Sequence, residues 1–234
     1  MATRPEALRA ENVSRHHPNG RGVTGVSLAV RPGEVLGLLG ANGSGKTTLL
    51  RVLATLDPPT SGVVSWFGVA DRRSRRVRGR LGAVLDEPVH LDALTGGQNA
   101  EVFAALYGVR RPARDQRLAD LFRWAGIEQA RDLPVREYSL GMRRRLSLVQ
   151  ALCHEPDLVV LDEPTLALDE GGELDLERRL RELARKGAAV VLATNDRRFA
   201  EAVCSETLRL ETGHVAVPTP SGRHQDLADL PGRP

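Results

Sequence analysis

Three short runs dominate the hydropathy pattern: Val35-Leu36-Gly37-Leu38-Leu39, Leu158-Val159-Val160-Leu161 and Val190-Val191-Leu192. They are continuous rather than alternating, which is how strands covered on both faces of a parallel sheet read. Each lies beside a segment of helical spacing, so the pattern predicts an α/β class. From Thr95 to about Cys153 the strand signal fades. Apolar positions there fall at helical spacing: Val102, Leu106 and Val109, then Leu118, Leu121, Phe122 and Ala125. Thr95 followed by Gln98 makes a capping box that opens the first of these helices. The expected organisation is one domain over residues 1–217, with an α/β core (1–87 and 155–217) and an inserted helical subdomain at about 88–154. The last 17 residues, from Pro218, hold four Pro and two Gly and read as a loose tail.

Composition narrows the partners. A chain of 234 residues buries enough surface to need no disulfide or metal staple. Its two cysteines, Cys153 and Cys204, form neither a disulfide framework nor a zinc site, which suits a reducing cytosol. The opening MATRPEALRAENVS has no apolar signal-peptide region, and no stretch approaches the roughly 18 apolar residues of a spanning helix. Net charge is only +3 and aromatic content 3%, so no nucleic-acid partner is expected. The run Arg72–Arg80 carries six arginines but no aromatics, and reads as a solvated connection between strands rather than a nucleic-acid or lipid contact. Lysine is the telling residue. Only two of the 33 basic residues are Lys, Lys46 and Lys186. Lys186, before Gly187, reads as a helix-end charge.

Lys46 falls in Gly40-Ala41-Asn42-Gly43-Ser44-Gly45-Lys46-Thr47, a G-x-x-x-x-G-K-[ST] sequence that follows the first apolar run and precedes the helical stretch from Thr48. Glycines let backbone N–H groups curl around phosphate oxygens, and a helix N-terminus adds partial positive charge. Lys46 is placed to reach the β- and γ-phosphates, and the Thr47 hydroxyl to ligate Mg²⁺. The second apolar run ends in Asp162-Glu163. An acidic turn after a strand is common by itself. Beside a phosphate loop, Asp162 becomes a candidate for the Mg²⁺ shell and Glu163 for polarising an attacking water.

Between the two lies Tyr138-Ser139-Leu140-Gly141-Met142-Arg143-Arg144-Arg145-Leu146. The order phosphate loop, Ser-x-Gly, Asp-Glu resembles an ATP-binding cassette, the nucleotide-binding subunit of ABC transporters, over roughly residues 8–217. Wording closest to Ser-x-Gly-Met-Arg-x-Arg-Leu belongs to compact drug- and antibiotic-export cassettes. The resemblance implies a P-loop NTPase (RecA-like) core with a mainly parallel sheet, N-terminal antiparallel strands and the inserted helices. It also implies ATP and Mg²⁺ as ligands and a head-to-tail dimer with a second cassette. In such a dimer Ser139 and the Gly141 N–H cap the γ-phosphate bound by the opposite subunit. Ser139 also suits an ordinary helix N-cap, and Arg143 to Arg145 a solvated or dimer-facing helix side. Ala167-Leu168-Asp169 matches the segment that communicates between sites.

Departures from the family are specific. Asp86, followed by Glu87, stands where cassettes place a Gln on Mg²⁺ and the attacking water. Asn195 replaces a His that contacts the γ-phosphate; an amide donates a hydrogen bond but carries no positive charge. Leu140 replaces a Gly. The adenine-stacking aromatic is represented by His16, or else His17, and a loop histidine without a ligand is an equal reading. The function implied is the ATP-hydrolysing subunit of an exporter, driving a separate integral membrane permease from the cytoplasmic face of the membrane. Residues after Asp86 and the helical subdomain would form the docking surface. Turnover by a homodimer is expected to be slow. The alternatives are a hydrolysis-impaired regulatory partner in a heterodimer and a non-transport ABC protein. A P-loop GTPase would carry Asn-Lys-x-Asp, which is absent.

Overall fold

A computed structural model of the chain describes residues 6–18, 20–85 and 90–216. Among these, the three apolar runs form the strands β3 (Val35–Leu39), β6 (Leu158–Asp162) and β7 (Ala189–Thr194). They sit together at the centre of a six-stranded sheet with β5 (Leu81–Val84), β8 (Glu206–Glu211) and β9 (His214–Ala216), in the order β5-β6-β7-β3-β8-β9. All neighbouring pairs are parallel except β8 and β9. A second, antiparallel sheet in the order β2-β1-β4 is built from β1 (Leu8–His16), β2 (Gly22–Val30) and β4 (Ser61–Trp66).

The continuous apolar runs have a direct cause: both faces of the central sheet are covered. Leu158, Val160, Val191 and Ala193 face a core shared with α1 (Lys46–Leu53) and the antiparallel sheet. Their alternates Val159, Leu161, Val190 and Leu192 face a second core shared with the helices that follow β5 in the chain. Helix α1 lies between the two sheets, and the indole N–H of buried Trp66 donates to the Leu53 carbonyl at 2.7 Å, tying β4 to its last turn.

The described residues between β5 and β6 hold three α-helices, α3 (Gly96–Leu106), α4 (Ala113–Trp124) and α5 (Leu140–Leu152); the one-turn α2 (Arg75–Arg78) precedes β5. Both bonds of the Thr95–Gln98 capping box form, at 3.1 and 2.9 Å. Leu118, Leu121, Phe122 and Ala125 are buried on and just after α4. Helix α3 corrects the expected face. Gly97, Ala100 and Ala104 point inward, whereas Val102 is 40% and Leu106 77% exposed. Close approach is the reason: a side chain at Gly96 would collide with the Tyr138 phenol, so small residues occupy the contact while Val102 and Leu106 turn outward.

The arginine run does connect two strands, β4 and β5. Arg72 donates to the Thr55 carbonyl, and Arg80 lies 3.7 Å over the Phe67 ring and pairs with Asp157 at 2.6 Å. Lys186 follows α6 (Glu170–Arg185) as its C-cap and pairs with Glu182 at 2.6 Å, the helix-end role expected of it. Helix α7 (Arg197–Val203) then leads into β8. No helix of the described residues is long and apolar enough to cross a membrane.

Candidate functional site

Strands β3, β6 and β7 all end at the same edge of the sheet, where ligands of open α/β sheets bind. The chain leaving β3 turns through Gly40–Gly45 into α1, whose N-cap is Gly45 at φ 104°, with no side chain capping the first turn. A Cβ at Gly45 would press on the Val23 side chain and the Gly22 carbonyl, so both the backbone angle and the space require glycine. The result is a ring of backbone N–H groups at a helix start, facing a cavity of about 760 Å³.

Lys46 is 6% exposed, and its ammonium donates to the Gly40 carbonyl at 2.7 Å and to the Ala41 carbonyl at 3.3 Å. It also lies 3.7 Å from the Glu163 carboxylate. The Thr47 hydroxyl donates to Asp162 Oδ2 at 2.5 Å, joining residues 115 positions apart in the sequence. Glu163 has φ 42° and accepts from the Asn195 backbone N–H at 3.3 Å. Asn42, Gly43, Gly45, Lys46, Thr47, Thr48, Asp162 and Glu163 all line the cavity. Gly40, Ala41 and Ser44 do not; the first two hold Lys46 from below. The Ser44 hydroxyl is buried with no hydrogen-bond partner among the described residues.

Several expected residues fall elsewhere. His16 is exposed on β1, paired with Gly22 of β2, and does not line the cavity. The ring that does is His17, whose Nε2 is 3.3 Å from the Thr48 hydroxyl. The hairpin register is the cause: the His17 N–H closes the turn on the Arg21 carbonyl, which carries His17, Pro18 and Arg21 over the start of α1. Ser139 N-caps α5 by accepting from the Met142 N–H at 3.2 Å, and with Gly141 it lies away from the cavity. Leu140 is 63% exposed. The Asn195 side chain is exposed at the end of β7. Asp86 and Glu87, and the tail from residue 218, lie outside the described residues.

The three arginines after Met142 are not a uniform solvated face. Arg143 pairs with Asp92 at 2.7 Å and Arg145 with Asp169 at 2.9 Å, but Arg144 is buried. Asp169, which also N-caps α6 by accepting from the Gly172 N–H, has its carboxyl held below the usual range by that bond and by Arg145.

A phosphate loop, a Thr–Asp pair for a hard cation and an acidic residue beside the lysine thus share one cavity. The family model described as ABC transporter matches residues 23–166, more than half the chain. This chain belongs to the ABC transporter family. Among its curated relatives, the uncharacterised ABC transporter ATP-binding protein YdbJ of Bacillus subtilis is 38% identical over 81% of this chain and 61% of its own length. The Nod factor export ATP-binding protein I of Ralstonia nicotianae is 35% identical over 88% of this chain and 64% of its own. The ABC transporter ATP-binding protein NatA of Bacillus subtilis is 32% identical over 83% and 80%. The chain therefore spans about three fifths of the length of the first two. A solved ATP-binding subunit of an ABC transporter superposes with TM-score 0.84 at 28% identity, covering 89% of this chain and 88% of that one. A dimeric cassette in a post-hydrolysis state, bound to ADP and Pi, gives TM-score 0.80 at 25% identity, covering 89% and 96%. The fold is that of the P-loop ABC cassettes, as expected from the sequence.

Proposed function

We propose that this cassette binds Mg-ATP on the Gly40–Thr47 loop and hydrolyses it within a head-to-tail dimer, driving a separate membrane permease of an exporter. The observation that carries the reading is the Thr47–Asp162 contact at 2.5 Å, with Lys46 and Glu163 beside it. Triphosphate oxygens would take the ring of N–H groups and the Lys46 ammonium. Thr47 and Asp162 would hold Mg²⁺, which needs only one or two protein oxygens when phosphates supply the rest, and which neutralises charge on the transferring phosphoryl group. Glu163 orients a water for in-line attack. Ser139 and Gly141, turned away from their own cavity, are free to meet the γ-phosphate of a second cassette. His17 covers the base.

Asn195 and Asp86 set the rate. At Asn195 a neutral amide stands where the resemblance implies a cationic contact to the γ-phosphate, and Asp86 puts a carboxylate in the sequence where it implies a Gln, so turnover is slow in a homodimer. Export-type relatives support the direction of transport. A permease partner places the cassette at the cytoplasmic face of the membrane, with Val102 and Leu106 of α3 in the docking surface. The test is the ATPase rate of the purified chain and of Asn195→His. Slow turnover that the substitution accelerates is expected; a fast wild type that it leaves unchanged contradicts the proposal.

A further inference from the structure

Arg144 is a charged side chain in the interior. It lies on the second turn of α5 at 6% exposure, and its guanidinium donates to the Asp162 carbonyl and, at 3.2 Å, to the Glu163 carbonyl. The sheet explains why those carbonyls need a donor. Pairing between β5 and β6 ends at Val84 with Leu161, one residue short of Asp162, while the Glu163 N–H is taken on the other side by Ala193 at 2.8 Å. Among the described residues, no strand pairs with β6 on that side beyond Val84. One nitrogen of the guanidinium, Nη2, donates to both successive carbonyls there. Burying the cation is costly, so the site exists only while those bonds are made.

The same stretch of α5 grips the rest of the segment. Arg145 pairs with Asp169, and Gly141 packs so closely on the Ala167 carbonyl that a Cβ would come within 2.9 Å of it. Glu163 and Ala167 both hold positive φ, 42° and 63°, conformations that a non-glycine residue keeps only under external constraint. Residues 162–169 are thus bound to the start of α5 at three places, with Arg144 at the end that carries the acidic side chain.

We propose that Arg144 is a positioning residue for hydrolysis: it fixes the backbone at Asp162–Glu163, sets where the Glu163 carboxylate points, and makes that placement depend on the seat of α5. The inference rests on the assignment of Glu163 as the water-orienting group. Movement of Ser139 and Gly141 at the head of α5 is then transmitted to Glu163 of the same chain, with Arg144 the link at Glu163 itself.

Single-turnover ATP hydrolysis and nucleotide affinity of the full chain test this with Arg144→Met, Arg144→Lys, Glu163→Gln and the double variant Arg144→Met/Glu163→Gln. Arg144→Met is expected to lower the hydrolysis rate about 10–100-fold, as loss of an orienting contact does, with the Kd for Mg-ATP within about twofold of wild type. Arg144→Lys recovers part of the rate, and the double variant is no slower than Glu163→Gln, because both act on one group. Amide exchange rises over 163–169 in Arg144→Met but not over 40–47, a readout independent of activity. An unchanged rate in Arg144→Met, a Kd that rises as far as the rate falls, or a double variant slower than Glu163→Gln overturns the proposal. Full activity in Glu163→Gln overturns the assignment of Glu163 itself, and this inference with it.

Discussion

The Lys46 ammonium lies 3.7 Å from Glu163 Oε1 while donating to the Gly40 and Ala41 carbonyls. Two groups 117 positions apart in the sequence therefore balance each other's charge across the floor of one cavity. An incoming triphosphate competes for the same ammonium, so binding exchanges one anionic partner for a stronger one.

Removing that ammonium has a predictable cost. A hydrogen bond to a charged group is worth about 1.5–3 kcal/mol, so Lys46→Ala should raise the Kd for Mg-ATP roughly 10–100-fold. Lys46→Arg should not restore it, since a planar fork does not fit where a compact ammonium bonds two loop carbonyls. Titration with a fluorescent ATP analogue measures both.

The outward face of α3 predicts a separable defect. Val102→Ser with Leu106→Ser removes exposed apolar surface and leaves the packed residues Ala100 and Ala104 untouched. Stability and ATP affinity should stay at wild-type values, while co-purification with the membrane permease is lost. Retention of the permease by the double variant would place docking elsewhere.

Acid should loosen the fold through His154. Its ring stacks on Tyr107 with centroids 3.6 Å apart, and burial holds its pKa at about 4, below the ordinary 6.5. Between those values the unfolded chain takes up a proton that the folded chain refuses. This contribution to stability is complete above pH 6.5 and is lost as pH falls toward 4. Burial lowers the pKa of His90 as well, with the same sign. Melting temperature should fall across this window, and His154→Phe, which keeps a ring against Tyr107, should flatten the slope. An unaltered slope in that variant rules His154 out as a source.

The central strands and the phosphate loop were legible because each depends on contiguous residues: an unbroken apolar run for β3, β6 and β7, and eight loop residues between a strand and a helix. What escaped depends on register and close approach. Arg21, and His17 rather than the first-named His16, reach the cavity because the β1–β2 turn closes between them; the sequence offered both histidines without deciding. Helix α3 buries Ala100 and Ala104 because Gly96 meets Tyr138, a contact between distant segments. Arg144 looks identical to its two neighbours in the sequence; its burial against the Asp162 and Glu163 carbonyls, next to the end of β5 at Val84, is seen only in the fold.

Glu163 carries the account, and Glu163→Gln tests it most directly. The substitution keeps the shape and removes the charge that orients water, so Mg-ATP affinity should remain within about twofold of wild type while turnover falls at least ~100-fold, the scale of a lost general base. With hydrolysis blocked, ATP should also shift the protein from monomer to dimer in analytical ultracentrifugation. Wild-type turnover in Glu163→Gln, with ATP bound normally, would contradict the assignment.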